Sequence, residues 1–215
     1  HDRGMTDVSR WRTAANAHLP EEYFTMQPDA IPDHPNRALR VWGWMSEAEV
    51  EWLQAQASMM TSVAEIGALH GRSSTALLEG CPGPVYCIDP WNDPDGYSYP
   101  SFMRSCGHYD NLVAVQGYSP QVIESHQIPD VDMVFIDGDH KAASVRADIE
   151  GWLPRTRRLM AGHDFIEGGG FPDVFTVVTE IFGDKVQVAE STAIWFVDLS
   201  APAPAQKRTR ARTKK

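Results

Sequence analysis

Cysteine is scarce in this sequence. Cys81, Cys87 and Cys106 make an odd count with no C-x-x-C spacing, which argues against a disulfide framework and a cysteine-built zinc site and predicts a reducing, cytoplasmic setting. Long apolar runs are missing as well. No stretch approaches the roughly 18 residues of a membrane span, and the N-terminus has no signal-like apolar region, so a soluble chain without a membrane partner is expected. Positive charge is missing from the body. Six of the 19 Lys and Arg fall within 206–215, which leaves 13 basic against 29 acidic groups, a net of −16, for residues 1–205. Such a body repels polyanions, and nucleic acid is not an expected partner.

Length and composition, 215 residues at 42% hydrophobic, suffice for one α/β domain with a real core. His1 to Gly4 precede Met5 and are expected to be an expression remnant. Residues 5–60 are expected to form an N-terminal extension and lid helix, 61–200 the core, and 201–215 an Ala/Pro linker with a basic, disordered tail. Ser46 and Glu49 have capping-box spacing, and Val50, Leu53, Ala57 and Met60 follow at helical intervals. Just upstream, Trp42 and Trp44 suit either a lid or core packing. The sequence leaves room for a homo-oligomer.

The centre of the chain reads VDMVFIDGDH, from Val131 to His140. Val134, Phe135 and Ile136 suit a buried parallel strand, and polarity switches abruptly to Asp137, Asp139 and His140. Two acids and an imidazole at a strand end can bind a metal or move a proton; alternatively, Asp139 caps a helix beginning near Lys141 and Asp137 closes a turn. The pattern recurs where Leu159, Met160 and Ala161 lead through Gly162 to His163, Asp164 and Glu167.

Val63, Ala64 and Ile66 predict an earlier strand, followed by Gly67 and a helix from Gly71 to Leu78. Gly67 and Gly71 would let main-chain N–H groups approach a polar ligand. Their G-x-x-x-G spacing is neither the dinucleotide fingerprint nor a P-loop, which also needs a lysine. The next strand, Val85 to Ile88, ends at Asp89, where a carboxylate can accept both hydroxyl hydrogens of an adenosine ribose or serve as a turn or helix cap. Trp91 follows in a loop that can reach cofactor or substrate. A third strand, Leu112–Gln116, ends at Gly117, Tyr118 and Ser119, whose backbone can border an adenine ring and where Ser119 can cap the next helix. Ala142, Val145, Ile149, Trp152 and Leu153 predict an amphipathic helix bearing Asp148. Arg155, Arg157 and Arg158 are expected to form a solvated basic turn, and Gly168–Gly170 a mobile loop over the site. Val174, Val177, Val178 and Ile181 mark a last helix. Two consecutive strands, Val186–Ala189 and Ile194–Leu199, predict a terminal antiparallel hairpin beside a mostly parallel sheet.

Taken in order, EIGALHGRSSTALL, VYCIDPW, VDMVFIDGDH and LMAGHDF resemble the class I S-adenosylmethionine-dependent methyltransferases over residues 40–199, in particular metal-dependent O-methyltransferases of natural products and sugars. The resemblance implies an α/β, Rossmann-like, mostly parallel seven-stranded sheet with helices on both faces and a terminal antiparallel hairpin. It implies Glu65 and Gly67 near the methionine part of S-adenosylmethionine and Asp89 on its ribose, with Gly71, Gly117, Tyr118 and Asp137 completing the cofactor site. It further implies Asp137 and Asp164 on Mg2+ or another divalent cation, with His140 as base. His163 departs from that pattern, since it stands where relatives carry a second carboxylate, and it becomes the candidate third ligand. A small hydroxylated substrate is the implied partner. The rival readings are an NAD-dependent oxidoreductase and a noncatalytic cofactor-binding protein.

Overall fold

Apolar runs separated by amphipathic stretches become strands and covering helices in the computed structural model, which describes residues 29–92, 98–125 and 127–200. The strands are β1 (Val63–Ile66), β2 (Val85–Asp89), β3 (Leu112–Gln116), β4 (Val131–Ile136), β5 (Thr156–Gly162), β6 (Gln187–Val188) and β7 (Trp195–Asp198). The helices are α1 (Glu47–Ala57), α2 (Arg72–Gly80), α3 (Ser98–Cys106), α4 (Ser119–Ser125), α5 (Ala142–Trp152) and α6 (Pro172–Phe182). One sheet runs in the order β3-β2-β1-β4-β5-β7-β6. Its first five strands are parallel, and β7 lies antiparallel to both β5 and β6. This is the expected Rossmann-like sheet with its terminal hairpin. The expected extension as far as Pro28, the expected loop at 93–97, His126, and the expected linker and tail from 201 lie outside the described residues.

All of β4 is buried, because helices cover both faces of the sheet. Its side chains alternate: Met133 and Phe135 join Leu53 of α1 and Leu77 of α2, whereas Val134 and Ile136 join Val145, Ile149 and Trp152 of α5 and Val178 of α6. A capping box starts α1, with Ser46 N donating to Glu49 Oε2 at 2.8 Å and Glu49 N donating to Ser46 Oγ at 3.4 Å. Val50, Leu53, Ala57 and Met60 are buried as their spacing predicts.

Several local expectations need correction. Arg157 and Arg158 do not form a turn; β5 already begins at Thr156, and both are exposed residues within it. Only Arg155 lies in the short 3-10 turn after α5, where its guanidinium donates to the backbone oxygen of Ile128. Gly71 is the left-handed N-cap of α2 rather than its first residue. Ser119 is already inside α4, with its hydroxyl accepting from Trp152 Nε1 at 2.9 Å.

Candidate active site

The chain path reverses between β1 and β4, and a parallel sheet forms a crevice outside the carboxyl ends of its strands at that point. A cleft of about 920 Å³ opens there. Backbone hydrogen bonds bind its floor together: Asp137 N donates to Ile66 O at 2.8 Å, Gly67 N to Ile88 O at 2.9 Å, and His163 N to Ile136 O at 3.1 Å. Gly67 has φ +93°, and a Cβ there would lie 2.1 Å from Asp137 O. Only glycine permits this approach of the two strand ends.

Gly67, Gly71, Asp89, Gly117, Tyr118 and Asp137 all line the cleft. Asp89 Oδ2 accepts from Leu69 N at 3.0 Å, and Oδ1 from Trp91 N at 2.7 Å. Leu69 itself sits at φ 44°, a costly backbone for a branched side chain. Trp91 Nε1 secures it by donating to Leu69 O at 2.9 Å. The indole is otherwise buried against Phe102 and Tyr99, so Trp91 supports the turn and is not one of the cleft-lining residues. Glu65 also does not line the cleft. The β pleat turns its fully buried side chain beneath the floor, where Ser74 Oγ donates to Oε2 and Oε1 has no hydrogen-bond partner among the described residues. Burial raises its pKa to about 7 despite the opposing Ser73 and Ser74 hydroxyls.

Asp137, His163 and Asp164, from the ends of β4 and β5, each offer a donor atom within 4.8 Å of the others. His163 Nδ1 lies 3.5 Å from Asp164 Oδ1 and 3.9 Å from Asp137 Oδ1. Glu167 is outside this cluster. Two carboxylates and one imidazole fit a hard or borderline divalent ion. Asp164 adopts φ 61°, a left-handed conformation that aspartate tolerates better than most residues. His140 Nε2 lies 2.7 Å from Asp164 Oδ2 and 3.8 Å from Asp137 Oδ1, and its ring stacks on Phe171 at 3.9 Å. Asp139 is not the α5 cap, which is Lys141; its Oδ2 instead accepts from Ser144 Oγ at 2.8 Å.

The charges of the cluster support one another. Burial opposes the imidazolium of His140, but hydrogen bonds and charge from Asp137 and Asp164 prevail and raise its pKa to about 9. Burial likewise opposes an ionised Asp164, yet His163 and His140 hold its carboxyl well below the usual range. His163 is raised well above the ordinary histidine value, burial being outweighed by Asp164, Glu49 and Asp137.

Three residues that the sequence did not place in the site shape it. Glu49 is fully buried, and its Oε1 accepts from His163 Nε2 at 3.0 Å. Arg72 is buried with its guanidinium on Val41 O at 2.8 Å, Met45 O at 2.7 Å and Asp29 Oδ1 at 2.7 Å. It thereby ties the segment carrying Trp42 and Trp44 to α2. Those two indoles are about half exposed, pack edge to face at 4.7 Å, and line the cleft, so neither is packed in the core. Asp148 of α5 is buried and lines the cleft beside Ser119 and Gly138. Burial raises its pKa to about 6, Ser119 opposing and Asp139 adding to the shift. Both overlooked acids gave the same signal: each interrupts the apolar stripe of its helix.

Residues 64–165 match the family described as a methyltransferase domain. Over those residues the chain is similar to that family, and its mostly parallel seven-stranded sheet is that of a Rossmann-like methyltransferase fold. Among solved structures, it is similar to an O-methyltransferase from Bacillus cereus in complex with SAH, at 21% identity, 72% coverage of this chain, 82% of that chain, and a TM-score of 0.55. It is also similar to the O-methyltransferase TomG from Streptomyces achromogenes, involved in tomaymycin synthesis and in complex with SAM, at 17% identity, 90% and 99% coverage, and a TM-score of 0.58. Likeness at this identity bears on the fold of the methyltransferase domain. No curated protein matches the chain. No helix among the described residues is long and apolar enough to cross a membrane.

Proposed function

We propose that the chain transfers the methyl group of S-adenosylmethionine to a hydroxyl oxygen of a small molecule, with a divalent ion, Mg2+ or a similar cation, at Asp137, His163 and Asp164. The observation that carries this reading is the convergence of these three donors on one cleft with Asp89 and the Gly67 turn. The methyl donor brings an already activated sulfonium methyl, and the ion a positive charge that lowers the pKa of the hydroxyl it faces.

The remaining work falls to the chain's own residues. Asp89 would accept the ribose hydroxyls, with its two oxygens already oriented by Leu69 N and Trp91 N. Gly67 and Gly71 would allow the backbone to approach the methionine part, and Gly117 and Tyr118 would border the adenine. Asp137, His163 and Asp164 would hold the ion, placing a hydroxyl for in-line attack. His140 would accept the hydroxyl proton at its imidazole once an ion offsets the charge of Asp137 and Asp164, which otherwise keeps the ring protonated. Trp42, Trp44 and Phe171 supply apolar walls that exclude water. Among the described residues lining the cleft, Arg72 is the one lysine or arginine, and its guanidinium is committed to backbone oxygens and Asp29. A neutral acceptor with two adjacent oxygens suits these walls better than one carrying phosphate. The oxidoreductase alternative has no dinucleotide fingerprint to support it and, among the described residues lining the cleft, no lysine or arginine beyond the committed Arg72.

Calorimetry with S-adenosylhomocysteine tests the cofactor half of the proposal. Wild type should bind it, and Asp89→Ala should bind at least about tenfold more weakly through lost hydrogen bonds to a charged group. A folded wild type that binds neither S-adenosylhomocysteine nor S-adenosylmethionine would overturn the assignment. Labelled methyl transfer to a panel of vicinal diols and catechols, with and without a chelator, tests the other half; transfer unaffected by the chelator would remove the ion from the proposal.

A further inference from the structure

We infer that Glu49 is a positioning residue that makes His163 a metal ligand. By accepting the Nε2 proton, it fixes the neutral imidazole tautomer whose bare Nδ1 faces Asp137 and Asp164. The inference rests on the proposed ion at this cluster. Glu49 belongs to α1, outside the matched residues 64–165, and reaches the site only through the fold.

A capping box needs one carboxylate oxygen near the helix end and no burial. Glu49 goes beyond that requirement. Its Oε2 takes the capping contacts from Ser46 N at 2.8 Å and Ser46 Oγ at 2.9 Å. Its Oε1 accepts from His163 Nε2 at 3.0 Å and from Ala193 N at 3.0 Å. Four donors on a fully buried carboxylate offset the cost of withdrawing it from water and prevent rotation.

A histidine binds an ion through one nitrogen's lone pair while the other nitrogen keeps its proton. An acceptor at that second nitrogen sets the tautomer and ring angle, and makes the first more basic. Glu49 is such an acceptor, and Ala193 N keeps it from following the ring if the ring turns. His163 Nδ1 is thus held 3.5 Å from Asp164 Oδ1 and 3.9 Å from Asp137 Oδ1, on the side where an ion would sit. A neutral ligand standing where relatives are implied to carry a carboxylate therefore gains a buried negative partner behind it.

The test measures Mn2+ affinity by electron paramagnetic resonance in wild type, Glu49→Gln and Ser46→Ala, and the His163 tautomer by long-range 1H–15N correlation in Mg2+-loaded wild type. Glu49→Gln should weaken Mn2+ about 10–100-fold. Ser46→Ala, which damages the helix cap but leaves Oε1 in place, should stay within about twofold of wild type. The loaded wild type should show the proton on Nε2. Unchanged affinity in Glu49→Gln, an equal loss in Ser46→Ala, or a proton on Nδ1 in the loaded wild type would each overturn the role of Glu49. The tautomer measurement decides the matter even if Glu49→Gln fails to fold. A wild type that binds no Mn2+ would overturn the proposed ion itself, an outcome separable from the others.

Discussion

His140 lies within reach of two carboxylates, and that setting makes a measurable claim about the metal-free protein. Its folded pKa, about 9, exceeds the ordinary 6.5, because Asp164 at 2.7 Å and Asp137 at 3.8 Å favour the imidazolium more than burial opposes it. A raised histidine contributes stability that is fully present below the unfolded pKa and disappears as pH rises through the folded one. Metal-free protein should therefore lose stability between pH 6.5 and about 9, and Asp164→Asn should reduce that slope. Glu65 acts in a lower window. Its folded pKa of about 7 against 4.5 means the folded chain holds the extra proton, so stability declines over that interval, and Glu65→Gln should flatten this part alone. Urea unfolding from pH 5 to 9.5, with NMR titration of His140, checks both; a His140 pKa below 7 without metal would contradict the first.

At the scale of elements, the joint between β1 and β4 depends on Gly67. Gly67→Ala would combine an unfavourable φ with a Cβ 2.1 Å from the Asp137 carbonyl oxygen, and should destabilise the fold by about 3 kcal/mol. A chemical-denaturation midpoint equal to wild type would contradict the close approach. Arg72 joins α2 to the segment bearing Trp42 and Trp44. Arg72→Ala would leave the buried carbonyl at Met45 and the partly buried one at Val41 without their guanidinium partner, costing about 3 kcal/mol. It should raise KM for the acceptor more than it weakens S-adenosylhomocysteine binding. Equal effects on both ligands would argue against a lid role.

Strands and helices were legible because their apolar periods are local: Val63–Ile66 and Val131–Ile136 announce buried strands without reference to anything distant. Asp137, His140, His163 and Asp164 were legible for a related reason, since strand ends in such a sheet share one edge. The contacts of Glu49 and Arg72 were not. Ser46 gave Glu49 a sufficient local explanation, while its partners His163 and Ala193 lie far along the chain. Arg72 reaches back to carbonyls in an irregular segment whose backbone path no side-chain pattern encodes. Asp148 gave a local signal, an acid within the apolar stripe of α5, but its place in the cleft shows only once α5 is laid on β4.

For the whole molecule, sheet order determines the site: the reversal at β1 and β4 places the glycine turn and the acidic strand ends around one opening. Among the described residues, the last bond to the sheet is made by Leu199, whose N–H donates to Arg158 O at 2.8 Å. Deleting residues 201–215 should accordingly shift the melting temperature by less than about 2 °C, and a larger fall in scanning calorimetry would show that the tail contributes to the fold. The central claim is that this opening holds a divalent ion beside the methyl donor. Anomalous diffraction from crystals grown with S-adenosylhomocysteine and Mn2+ tests it most directly. The account predicts a single peak in the cleft bonded at about 2–2.3 Å to Asp137, His163 Nδ1 and Asp164; S-adenosylhomocysteine bound in the cleft with no manganese peak there, or with the ion held by other residues, would contradict it.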